Sequence, residues 1–184
     1  MWRDIFGVMA QLLVAPHTAW RELNREQKTS HQFLAKYLHP VLGVIALASF
    51  VGGLWFTRDG NLQGALKQSI ISVVAVYGGY FIASYALNEV AHRYDLEKNI
   101  SRIRQFVGYG SVVLYVLYII TSFIVDFFIL WLLVIYTVHV VNTGSIFFLQ
   151  VKEEKRINFS LLASALIVLV PVGIQLIFST LMNG

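Results

Sequence analysis

The run from Phe106 to Gln150 constrains this chain more than any other feature, because it carries a single charged residue, Asp126. As one helix it would extend about 68 Å, more than twice a hydrocarbon core of roughly 30 Å. The chain must therefore reverse within the run. An aspartate at the bilayer centre costs about 2.5–3.5 kcal/mol on insertion scales and far less at the interface. The reversal is accordingly expected at Asp126, with Phe106 to Phe123 and Phe127 to Leu149 as separate spans. Three further apolar blocks complete a set of five: Pro40 to Phe56, Ser69 to Ala91, and Phe159 to Met182. Pro40 fits a first helical turn, and Pro171 is expected to kink the last span.

Composition agrees with this reading. Only 13% of the 184 residues are charged, half the roughly 25% of an ordinary soluble domain, and the mean hydropathy is +0.67. There are no cysteines, which removes disulfides, thiolate metal sites and cysteine nucleophiles together. The pI near 9.4 reflects cations that flank apolar blocks, where membrane orientation and anionic lipid explain them better than nucleic acid does. No nucleic-acid partner is expected.

The distribution of those cations predicts orientation. Twelve of the 14 lysines and arginines fall in the N-terminal region, the second loop and the fourth loop. The positive-inside rule then puts the N-terminus in the cytoplasm and the C-terminus outside. The expected fold is all-α and integral to the membrane, with five transmembrane helices in residues 37–184 and a cytoplasmic segment in 1–36. Within that segment Trp2, Ile5, Phe6, Met9, Leu12 and Leu13 recur at helical spacing, as in an amphipathic helix lying in the interface. Gln11 interrupts the apolar run and no small-residue cleavage site follows, so the segment is expected to stay in the mature protein. Pro16 should end this helix and start a second, anchored by Trp20 and Leu23 in lipid or packed on the ends of the spans.

Polar residues inside spans are the best pointers to function, since lipid cannot satisfy them. Tyr136, His139 and Thr143 share a face of the fourth span with Asn142 beside them; Ser111, Tyr115, Tyr118 and Ser122 stripe the third; Ser160, Ser164, Pro171, Gln175 and Ser179 stripe the fifth. Such stripes either hold a bundle together or line a pathway, with Tyr115, Tyr118, His139, Asn142 and Gln175 as its candidate polar cluster. Ala46, Ser49 and Gly53 in the first span, and Gly78 and Gly79 in the second, read as close-packing positions. Glu89 and His92 have the spacing found in di-metal bundles, but no second carboxylate–histidine helix exists. They are expected to serve as a polar pair at the cytoplasmic end, with Arg93 one turn on, and no metal or cofactor is expected. The chain also lacks HExxH, GxSxG and glycine-rich phosphate motifs.

The stretch FVGYGS sets two poor helix formers, Gly108 and Gly110, around Tyr109 at the opening of the third span. With five spans, this topology and Pro16 and Trp20 ahead of the first span, the chain resembles the Yip-domain family, multi-pass membrane proteins that interact with Ypt/Rab GTPases, and their compact bacterial relatives. The resemblance implies a non-catalytic adaptor or scaffold that organises membrane proteins or membrane traffic. Eukaryotic members act between endoplasmic reticulum and Golgi. This chain lacks their long cytosolic region and its Asp-Leu-Tyr-Gly-Pro motif, so Rab binding is not carried over. A prokaryotic-type member in the cytoplasmic membrane fits better.

The candidate contact surface is Trp20, Arg93, Arg104, Gly108 and Tyr109, facing a membrane-protein partner or a second copy of the chain. The glycines would admit a neighbouring helix close to the backbone, either within the bundle or from that partner. The alternative function is a small permease or ion-conducting protein using the polar stripes. A third, an intramembrane enzyme, would rest on Glu89, His92 and His139 alone.

Overall fold

The computed structural model describes residues 2–26, 28–56, 61–124 and 129–183, and these are helical throughout apart from short joins. The expected reversal at Asp126 lies outside the described residues. Helix α1 (Trp2–Val14) and helix α2 (Pro16–Glu26) form an N-terminal pair. Pro16 opens α2 at the one helical position where a missing N–H costs nothing. The side chains of Gln11 and Glu22 tie the pair together at 2.7 Å.

Helix α3 (Ser30–Phe33) starts on a reciprocal Thr29–Gln32 capping box. It runs through a π-helical turn, Leu34–Leu38, into α4 (His39–Phe56). The first span therefore begins well before Pro40, and the helix is continuous through residue 37. Pro40 sits inside it because the wider π turn relieves the clash of a proline ring with the carbonyl four residues back.

Helix α5 (Leu62–Val90) is capped by Asn61 and ends in a 3-10 turn, Ala91–Tyr94. Asp95 follows in the left-handed conformation at φ 57°. Helix α6 (Ile100–Gly110), capped by Asn99, and α7 (Val112–Thr121) are joined at Ser111 with a 42° bend. Helices α8 (Ile129–Phe147) and α9 (Glu153–Asn183) complete the chain, with Pro171 inside α9.

Three helical stretches are long and apolar enough to cross a membrane: Ser30–Trp55, Leu62–Tyr94 and Glu153–Met182. Counted as a single span, the bent pair α6–α7 brings the number to four. Their outward faces carry large apolar side chains, among them Leu47, Trp55, Ile70, Ile82, Leu169 and Leu176. Only 22% of the apolar window of α9 is buried, so this helix presents most of its hydrophobic surface outward, as a lipid-facing span does. In lipid such a bundle is held by close packing and interhelical hydrogen bonds rather than by expulsion from water.

The small residues supply that packing. A Cβ at Gly79 would lie 2.3 Å from the Pro171 ring, and one at Gly53 would lie 2.8 Å from the Ala65 backbone. Ser69 donates to the Ala46 carbonyl at 2.9 Å. Ser49 and Ser122 face each other at 3.3 Å. The face formed by Ala46, Ser49 and Gly53 thus joins α4 to α5 and α7.

Helix α2 packs across α8, not outward. Its Pro16, Ala19, Trp20 and Leu23 are all buried. Of the two placements open for Trp20 and Leu23, the structure shows packing on other helices of the chain, with Trp20 against α6 and α8. One apolar core consequently extends from Ile5 in α1 to Ile167 in α9.

Candidate functional site

Two regions concentrate the residues that sequence reasoning singled out. The first is an aromatic core around Gly108 and Tyr109. Gly108 lets the Phe33 ring sit on the α6 backbone: a Cβ there would fall 2.2 Å from Phe33 Cζ. Tyr109 packs against Phe33 (4.9 Å between centroids), Tyr37 (4.6 Å) and Trp20 (6.2 Å). Trp20 inserts between α6 and α8, where its indole N–H donates to the Val140 carbonyl at 3.0 Å. The indole lies over Gly144, at which a Cβ would come within 2.6 Å of it. Phe106 and Phe148 close the cluster.

This placement corrects part of the expected contact surface. Trp20, Gly108 and Tyr109 are interior residues, with Trp20 and Tyr109 at 0% and 1% exposure. The close contact admitted by Gly108 is with Phe33 of the same chain. Arg104 is half-buried over the Phe81 ring at 5.3 Å. Of the five, only Arg93 is exposed.

The second region is a basic end where three distant segments meet. Asp95 pairs with Lys155 at 2.9 Å and Lys152 at 3.0 Å, joining the α5–α6 loop to the α8–α9 loop and the first turn of α9. These two hydrogen-bonded ammonium groups hold the Asp95 carboxyl below its ordinary range, Lys155 contributing most. Gln105 reaches the Lys28 carbonyl at 2.8 Å. Arg102 donates to Asn24 at 3.1 Å and to the Phe148 carbonyl, with its guanidinium over the Phe148 ring. Polar cavities of about 310 and 320 Å³ flank it. Among the described residues no carboxylate pairs with Arg21, Arg25, Lys36, Arg93, Arg102, Arg104 or Arg156. At the opposite end Lys67 caps the last turn of α9, donating to the Met182 carbonyl at 2.9 Å.

Glu89 and His92 also lie at the basic end, but not as a pair of side chains. His92 Nδ1 meets the Glu89 backbone carbonyl at 3.0 Å, whereas the Glu89 carboxylate pairs with Lys98 at 2.8 Å. The ion pair is thus made with Lys98 and not with Arg93. No cluster of three metal-ligating side chains occurs among the described residues.

The intramembrane polar residues separate into local contacts. Tyr118 donates to Gln175 at 2.7 Å between α7 and α9. Asn142 accepts from Ser160 at 3.2 Å between α8 and α9. Ser160 and Gln175 stand about 22 Å apart along α9, so these two contacts belong to different levels of the bundle. His139 turns toward α2 instead, facing Tyr136 and His17 and largely exposed. An outward groove of about 380 Å³ runs beside it, lined by Ile135, Val138, Asn142, Ile157 and Leu161. Tyr115 stays in the core at 1% exposure.

Sequence reasoning missed Phe33, Tyr37 and Tyr80, which build half of the aromatic core. Phe33 and Tyr37 are four residues apart, a helical repeat ahead of Pro40 that marked an earlier start for the first span.

A family model described as the Yip1 domain matches residues 10–174. No curated protein and no solved structure matches the chain.

Proposed function

The chain belongs to the Yip1 domain family, and from that premise we propose that this multi-pass membrane protein is a non-enzymatic adaptor in the cytoplasmic membrane. Its basic end faces the cytoplasm. There it meets anionic lipid and a membrane-protein partner or a second copy of the chain. In this reading α8 is a span: its 19 residues extend about 28 Å, close to the hydrocarbon thickness. The chain then crosses five times, and the N-terminus and C-terminus lie on opposite sides. The N-terminal helix pair lies at the cytoplasmic interface, with Phe6 and Val14 turned outward toward lipid.

The observation that carries this reading is the unequal use of polar groups. Inside the bundle the expected polar cluster is divided among neighbouring helices, with Tyr118 bonded to Gln175 and Asn142 to Ser160. At the basic end Arg21, Arg25, Lys36 and Arg93 are exposed without a carboxylate partner among the described residues. A polybasic surface next to a membrane attracts anionic headgroups at about 1 kcal/mol per cation and steers acidic partners.

Photocrosslinking in native membranes tests the proposal, with the photoreactive residue at position 36 or 93 and at 169 as the lipid-facing control. A defined protein adduct at 36 and 93, absent at 169 and lost on Arg21→Glu with Arg25→Glu, is expected. Ion flux in liposomes that disappears in His139→Ala, with no such adduct, would replace the adaptor by the permease.

A further inference from the structure

The cavity of about 310 Å³ between the end of α2 and the start of α6 is lined by Asn24, Lys28, Asn99, Ser101, Arg102 and Gln105. No carboxylate lines it among the described residues. The cavity of about 320 Å³ on the other side of Asn99 and Arg102 differs, because Asp95 and Glu97 both line it. Charge separates the two: the first suits an anion, and the second repels one.

The hydrogen bonds already made in the first cavity sharpen this. Asn24 Oδ1 accepts from the Arg102 guanidinium at 3.1 Å, and Asn99 Oδ1 accepts from the Arg102 backbone N–H at 3.1 Å. Both partners are pure donors, so the orientation of each amide is fixed. With its oxygen turned to Arg102, each amide has an NH2 group left without a partner among the described residues. Ser101 accepts from the Ser30 hydroxyl and keeps its own proton to donate. Gln105 serves the frame, its Nε2 tying α6 to the Lys28 carbonyl at 2.8 Å.

Arg102 is held in place for the same task. Its guanidinium lies over the Phe148 ring at 5.3 Å, and its bonds to Asn24 and the Phe148 carbonyl both leave from Nη2. Of its five N–H donors, those on Nε and Nη1 have no acceptor among the described residues. Lys28 adds a second cation. Glu26 holds its ammonium at 2.6 Å, but an exposed pair is worth at most about 1 kcal/mol and yields to a better anion. Donors thus reach the cavity from α2, from the join after it and from α6. A tetrahedral oxyanion meets donors on several sides better than a planar carboxylate does, and a guanidinium fork matches it.

We propose that this cavity binds a phosphate group, carried by a lipid headgroup or by a soluble phosphate, through Arg102, Asn24, Asn99, Ser101 and Lys28. Its volume lies at the small end for ligand sites, enough for the phosphate and the group next to it. The assignment deepens the reading of the basic end, and rests on it only for the side of the bilayer that the cavity serves. Bound phosphate ties α2 to α6.

Thermal melting of the full chain in a maltoside detergent, which carries no phosphate, tests the site. Inorganic phosphate forms one arm and phosphatidic acid the other, each against chloride at equal ionic strength. A saturable rise in melting temperature is expected, since a ligand bound only by the folded state stabilises it. A rise with inorganic phosphate shows that a soluble phosphate suffices; a rise with the lipid alone makes the headgroup the source. Asn24→Asp should lose the rise yet melt at or above wild type without ligand, because the new carboxylate pairs with Arg102. Asn99→Asp, which keeps the capping oxygen, should lose it too. Thr18→Glu puts the same charge change on an exposed position of α2 and should keep it. No rise in either arm overturns the site. So does a rise that survives in both Asp variants, or one that Thr18→Glu also abolishes, since binding then belongs to the basic surface at large. Protein adducts at positions 36 and 93 are read separately, so the adaptor reading can fail while the site stands.

Discussion

At the residue scale, Gly108 and Trp20 show how a core in lipid is specified. Burying apolar area between spans gains little when the alternative is hydrocarbon, so shape decides. Gly108 leaves the α6 backbone open for the Phe33 ring to lie against, and its neighbour Tyr109 meets that ring edge-on. Gly108→Ala is expected to cost about 1–3 kcal/mol through overpacking, measured as a lowered melting temperature in detergent. A companion Phe33→Leu should recover part of the loss, because the clash is with the far end of that ring. Trp20→Phe keeps most of the volume but removes the donor to the Val140 carbonyl. Its expected cost is about 0.5–1.5 kcal/mol, visible in the same melts. Cross-linking of α2 to α8 through cysteines at 17 and 139 should persist in both variants.

At the scale of elements, Asp95 is the joint between two loops. The left-handed backbone at Asp95 ends the 3-10 turn and directs the carboxylate at Lys152 and Lys155, 57 and 60 positions on. Its folded carboxyl titrates below the unfolded value, so the contribution is present above about pH 4 and is lost as pH falls through the depressed folded value. Asp95→Asn keeps a residue tolerant of φ > 0 while removing the charge. Hydrogen exchange in residues 91–99 should be faster in this variant than in wild type at pH 7, and the difference should shrink as pH falls through the depressed folded value. Asp95 is exposed, and salt should weaken the same effect. The bend at Ser111 is a second joint. The Ser111 hydroxyl bonds the Val107 carbonyl, one turn back, a contact that bends helices. Gly110 beside it accepts the tips of Ile167 and Val141.

At the scale of the molecule, three loops distant in sequence converge on one basic end while Lys67 and the end of α9 lie at the other. A protein so arranged should associate with vesicles containing anionic lipid through that end. The adaptor reading predicts that Arg21→Glu with Arg25→Glu lowers the adduct yield at position 93 without lowering the melting temperature, because both side chains are exposed. A loss of stability would instead show that these arginines belong to the fold.

The division between what the chain states openly and what it hides follows from range. Hydropathy is a local sum, and it revealed an all-helical membrane protein directly: α5 and α9 stand close to the expected spans, and the α6–α7 pair bends beside the glycines that drew attention. Charge bias is likewise a sum over loops, and the segments it grouped meet at one end of the bundle. Pairing is not local. Whether Tyr118 would reach Gln175, or His139 turn away to His17, depends on the rotation of α7, α8 and α9 about their own axes. A uniformly apolar helix carries little periodic signal for that rotation. The early start of the first span was hidden for another reason, since Pro40 reads as a beginning until a π turn makes room for it. By itself the sequence determined a multi-pass helical bundle with a basic end. Only the tertiary structure decided that Gly108 and Tyr109 face inward, because the ring that fills the notch belongs to Phe33, 75 residues away along the chain and adjacent in space.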